Sequence, residues 1–126
     1  MLILAWAIMQ PVAAQSFKPD WNAGWKAYEN SDYATALQHF RPLAKQSHAS
    51  AQYSLALMYR YNKGVLQDLV MAYVWFNVAA TNGNSFADYD RDRVLSKLTA
   101  PERKLARKLS KLCLKKPAKC PEYSDD

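Results

Sequence analysis

The sequence predicts an all-α fold, a short α/α solenoid of antiparallel helix pairs with about six helices. Three observations predict it. The composition is rich in Ala, Leu, Lys and Gln, whose side chains lose little freedom in a helix, while Gly occurs three times in 126 residues. Nothing in the chain reads as an alternating strand flanked by Asn-Gly or Asp-Gly hairpin turns. Finally, sliding the sequence against itself by 36 positions sets Asp32 on Asp68, Ala36 on Ala72, Phe40 on Phe76 and Ala44 on Ala80, then Ala51 on Ala87 and Tyr53 on Tyr89. Small residues and aromatics that recur at this length mark stacked helix pairs, each burying its apolar face against the next. With half of its residues hydrophobic and about a fifth charged, the chain has globular composition and room for one core.

Residues 1 to 14, MLILAWAIMQPVAA, are expected to be a signal peptide rather than part of the fold. An uncharged apolar run of about ten residues is too short to cross a bilayer, which needs about 20. Pro11 follows it, then Val12 and Ala14, whose small side chains fit a signal peptidase. Cleavage after Ala14 is expected, which implies a periplasmic or secreted protein. The run lacks the Lys or Arg that ordinarily precedes such a segment, and no Cys follows it to carry a lipid.

The helices are expected at about 20–30, 33–46, 49–61, 68–81, 85–97 and 100–116. Gly24 and Ala27-Tyr28 belong to the first, and Asp32 opens the second with Ala36, Phe40 and Ala44 on its inner side. The third carries Ala51-Gln52-Tyr53, and His48 stands in the turn before it. In the fourth, only Asn77 is polar between Leu69 and Ala80. A helix that is apolar all round is buried all round, so this one is expected at the centre of the stack, with Tyr73, Trp75 and Phe76 filling gaps and Ala72, Ala79 and Ala80 allowing close approach. Asp68 fits its N-terminus and Gly83 its left-handed C-terminal residue. Thr99-Ala100-Pro101-Glu102 is a capping-box pattern that opens the sixth helix. In that helix Leu105, Leu109 and Leu112 fall on one face, and Arg103, Lys104, Arg107, Lys108, Lys111 and Lys115 cover the rest.

The stretch from Ser50 to Ala87 closely resembles a Sel1-like repeat, a tetratricopeptide-like family. The resemblance rests on Ala51-Gln52-Tyr53, Leu55, Met58-Tyr59, Gly64-Val65, Asp68, Ala72, Trp75, Ala79-Ala80 and Gly83, in order through one whole unit. Residues 21 to 50 look like a degenerate preceding unit, so repeats are expected over 21–87, a C-terminal helical cap over 88–116 and a tail over 117–126. Ala56 stands where the family usually has Gly. Asn62 replaces the first Gly of the loop, and Asn tolerates a left-handed backbone better than most residues.

Chemistry is sparse. His39 and His48 are the two histidines, and neither has a carboxylate or Cys at i+3 or i+4 to complete a ligand set. There is no phosphate-cradling Gly loop, no G-x-S-x-G and no C-x-x-C. Neither enzymatic activity, nor a metal, nor a cofactor is expected. Cys113 and Cys120 enclose LKKPAK, a spacing that suits a structural disulfide in an exported protein. The segment from Arg91 to Lys119 holds eleven Lys or Arg against two acids, whereas the whole chain is +6. The resulting basic face (Arg103, Lys104, Arg107, Lys108 and Lys111) reads as a solvated cap or as a surface attracted to an anionic envelope component; nucleic acid is not an expected partner.

The resemblance implies a non-catalytic adaptor that binds a protein or peptide in the groove between helix pairs. Arg60, Tyr61, Asn62 and Lys63, at the end of a first helix and in its loop, are the candidates for lining that groove. The alternative from another class is an envelope enzyme or a cell-wall ligand-binding protein.

Overall fold

A computed structural model describes residues 16–122. The expected signal peptide, with its cleavage point, lies outside the described residues. Among those described there are six α-helices and no strand: α1 (Trp21–Glu29), α2 (Tyr33–Lys45), α3 (Ala49–Tyr61), α4 (Leu69–Thr81), α5 (Ala87–Leu95) and α6 (Ala100–Lys115), followed by a 3-10 turn at Pro117–Lys119. The described residues are all-helical as expected, and none of their helices is long and apolar enough to cross a membrane.

Local chemistry sets most of the ends. The Asp20, Asp32 and Asp68 carboxylates accept backbone N–H groups at the starts of α1, α2 and α4, and the His48 Nδ1 accepts that of Ala51 at the start of α3. Each satisfies a donor that the helix cannot satisfy itself. Thr99 and Glu102 form the reciprocal capping box of α6. Ser31, Ser47 and Asn62 take positive φ just beyond α1, α2 and α3, as Gly83 does beyond α4. Ser47 and Gly83 are related by the 36-residue shift, so the two turns use one backbone device with different residues.

Helix α5 is shorter than expected, running over 87–95 instead of 85–97. The Asn84 side chain accepts the Phe86 N–H, which holds residues 84–86 in a turn. At the other end, Lys97 and Leu98 donate to the carbonyls of Val94 and Leu95, a tighter i to i−3 pattern that ends the α-helix.

Packing is sequential and then converges: α1 lies on α2, α2 on α3, α3 on α4, and α4 also carries α5 and α6. Nine residues of α4 are buried, among them Tyr73, Trp75 and Phe76. The apolar run is therefore the central core helix. Burying each of these large side chains stabilises the fold by roughly 1.5–3 kcal/mol. Ala36, Ala44, Ala51, Ala56, Ala72 and Ala79 are fully buried where helices meet. Gly24 lets α1 approach α2 closely, since a Cβ there would stand 2.7 Å from the Phe40 ring.

One buried polar group ties three helices together. The Gln52 amide donates to the Ala44 carbonyl at the end of α2 and accepts from the Asn82 side chain at the end of α4, each at 2.9 Å. Partners at both its amide nitrogen and its oxygen are what allow this Gln to sit in a core.

In α6 the buried residues are Ala106, Ser110 and Cys113, with Leu109 packed beside them, whereas Leu105 and Leu112 are exposed. The three leucines that share a face thus straddle its margin, because small residues let α6 approach α4 closely. Arg103 also leaves the outer face, donating through Nε to the Leu98 carbonyl. Cys113 and Cys120 are disulfide-bonded, with Cα atoms 4.6 Å apart.

Candidate binding surface

Helix α1 carries Trp21, Trp25 and Tyr28 at i, i+4 and i+7, which stacks them along one side of the helix. The rings lie nearly parallel, with centroids 5.7 Å apart between Trp21 and Trp25 and 5.1 Å between Trp25 and Tyr28. Tyr33, at the start of α2, meets Tyr28 edge-on at 5.5 Å. All four are partly exposed and pack their inner edges on the core. The row is held in place at both of its tryptophans, because Trp21 Nε1 donates to Ser54 Oγ of α3 and Trp25 Nε1 to Glu29.

The loop after α3 extends this row. Lys63 sets its ammonium 5.4 Å from the centre of the Tyr33 ring. Burial pushes the Tyr28 hydroxyl above its ordinary range; Tyr33 and Tyr61 push the same way, and Lys63 opposes them. Tyr61 is half exposed. Asn62 is the left-handed residue ending α3, so its role at this surface is to turn the chain. Gly64, also at positive φ, brings the loop against Tyr33, where a Cβ would stand 2.7 Å from the Tyr33 Cβ.

Arg60 is placed differently from its neighbours. It is buried, and its guanidinium lies 2.8 Å from Asp90 of α5. Asp90 also accepts the Tyr53 hydroxyl at 2.7 Å. Burial first, and then the Asp90 bond and charge, drive the Tyr53 pKa well above its ordinary value. This knot locks α3 to α5, the centre of the Tyr61 ring lies 5.0 Å from the Arg60 guanidinium carbon, and Lys63 is the member of the Arg60–Lys63 group that meets the aromatic row.

Both histidines serve the framework. His39 Nδ1 accepts the Asp20 N–H and its ring meets Phe17 at a 47° tilt, while His48 caps α3. Among the described residues no three His, Cys, Asp or Glu side chains gather as metal ligands.

The basic residues form a separate surface. Lys104, Arg107, Lys108 and Lys111 are exposed on the outer side of α6 and line a shallow depression with Ala100. The aromatic row on α1 escapes a reading aimed at first-helix ends and loops, although the spacing WNAGWKAY signals it.

No protein-family model matches the chain, and no curated protein matches it.

Proposed function

We propose that the protein is a non-catalytic, Sel1-like helical-repeat adaptor of the cell envelope, a short solenoid of antiparallel helix pairs that holds a protein or peptide segment along α1. The observation that carries this reading is the row Trp21, Trp25, Tyr28 and Tyr33, continued by Lys63. Rigid aromatics offer large contact area at low entropic cost, and partly exposed Trp and Tyr are the residue types enriched where proteins bind one another. Lys63 beside the rings suits a segment bearing a carboxylate.

The repeat reading draws support from positions related by the 36-residue shift. Asp32 and Asp68 both cap helices, Phe40 and Phe76 are both fully buried, and Ser47 and Gly83 both turn the backbone through positive φ. A periplasmic or secreted location, with the first 14 residues removed, fits the Cys113–Cys120 disulfide, since such bonds persist in oxidising compartments.

A photo-crosslinking residue at Tyr28, compared with one at Lys108, tests the proposal in the native envelope. A protein adduct formed from position 28 and lost on Trp25→Ser supports it. A polysaccharide adduct instead, or equal adducts from both positions, would sink it and favour a cell-wall ligand-binding role.

A further inference from the structure

Beyond the aromatic row, the geometry points to a second docking surface: the outer face of α6 seats the protein on an anionic lipid bilayer. Lys104, Arg107, Lys108, Lys111 and Lys115 are exposed and recur at helical spacing along about 16 Å of α6. None of them forms an ion pair among the described residues, whereas Arg60 and Arg91 do. Glu102, the acid of this helix, is turned to the helix end by its capping box. The outer face is thus a stripe of positive charge with no acidic partner among the described residues, in a chain of net +6.

The kind of anionic partner follows from the shape and composition of the face. Along one edge of the stripe stand Leu105 and Leu112, 42% and 38% exposed. Apolar side chains beside lysines match the boundary between headgroups and acyl chains, where cations meet phosphate and leucines meet hydrocarbon. The depression lined by Ala100, Lys104, Arg107, Lys108 and Lys111 has walls from this one helix, so it is not a groove for an extended peptide. Four of the five cations are lysines, point charges that suit a fluid array of headgroups better than fixed bidentate partners. No aromatic stands among the stripe's residues, in contrast to surfaces that stack nucleic-acid bases. Aromatic row and basic stripe lie on different helices, so the chain would hold a partner while resting on a membrane.

The test footprints lysines in the full chain by acylation and mass spectrometry. The protein is mixed with vesicles of phosphatidylcholine alone or with about one-third phosphatidylglycerol. Lys104, Lys108 and Lys111 should react at least about threefold more slowly on the anionic vesicles only, with added salt restoring the rate. Lys26 and Lys97, exposed elsewhere, should be unaffected. Because the readout is per residue, attachment through another part of the chain is told apart from seating on α6, since it would leave these lysines reactive.

Two variants of equal charge change complete the experiment. Lys104→Glu/Lys108→Glu/Lys111→Glu should lower the anionic excess of binding by roughly a hundredfold or more, and Lys18→Glu/Lys26→Glu/Lys97→Glu should lower it far less. Circular dichroism establishes that both are folded. Equal loss in the two variants, equal slowing at Lys26 and Lys97, or no slowing would overturn the proposal. Poly-glutamate or duplex DNA protecting the same lysines as well as vesicles do would also overturn it, in favour of an acidic protein surface or a nucleic acid.

Discussion

Tyr53 shows how a single side chain can link packing to pH. Its hydroxyl is buried against a carboxylate, so the folded state holds the phenolic proton more tightly than the unfolded chain, whose tyrosines titrate near 10.0. As pH rises past that value the unfolded chain deprotonates first, and stability falls; below it this contribution is fully present. Tyr28 and Tyr59 are shifted the same way by burial. Urea titrations should therefore give stability that declines above about pH 10, with a shallower decline in Tyr53→Phe. At neutral pH the same substitution should cost about 1 kcal/mol, because the ring remains partly exposed and one charge-assisted hydrogen bond is lost. None of this is legible in the sequence, since Tyr53 and Asp90 are 37 residues apart and no local pattern joins them. The Asp32, Asp68 and Thr99 caps are legible, because a cap acts within three residues of its helix.

Helices are where the sequence speaks most clearly and where it also misleads. Helix α4 declares its burial because apolar residues occupy every face. Helix α1 is ambiguous: Trp21, Trp25 and Tyr28 have the spacing of an ordinary core stripe, and only the packing of Gly24 and Ala27 beneath them turns the rings partly outward. The reverse holds for α6, where leucines suggest the buried side and Ala106, Ser110 and Cys113 occupy it. In both helices the smallest residues mark the contact, because they set how closely backbones approach. Gly24→Ala tests this at α1. Helix propensity alone would make the change stabilising by about 1 kcal/mol. The added methyl meets a fully buried Phe40 ring and the His39 Cβ, which cannot move aside, so the net change should be a loss of about 1–3 kcal/mol, read as a lower melting temperature.

At the scale of the whole molecule, the order of packing follows the order of the chain as far as α5; α6 turns back onto α4, and the last turn goes back further still. The 3-10 turn at Pro117–Lys119 returns to α2, and Lys45 reaches Glu122 at 2.6 Å. That surface ion pair adds little by itself. The disulfide anchors the returning segment to α6, and closing so short a loop stabilises by about 2.5 kcal/mol at most. The change Cys113→Ser/Cys120→Ser should lose up to that amount in equilibrium unfolding. A contact between the second helix and the tail joins distant parts of the sequence and should form after the helices have stacked. Stopped-flow measurements should accordingly find the loss mainly as faster unfolding, with refolding little changed. The clasp thus acts on equilibrium through the lifetime of the folded state and not through the speed of folding. Under protease in excess, the molecule without it should be digested faster in step with how often it springs open.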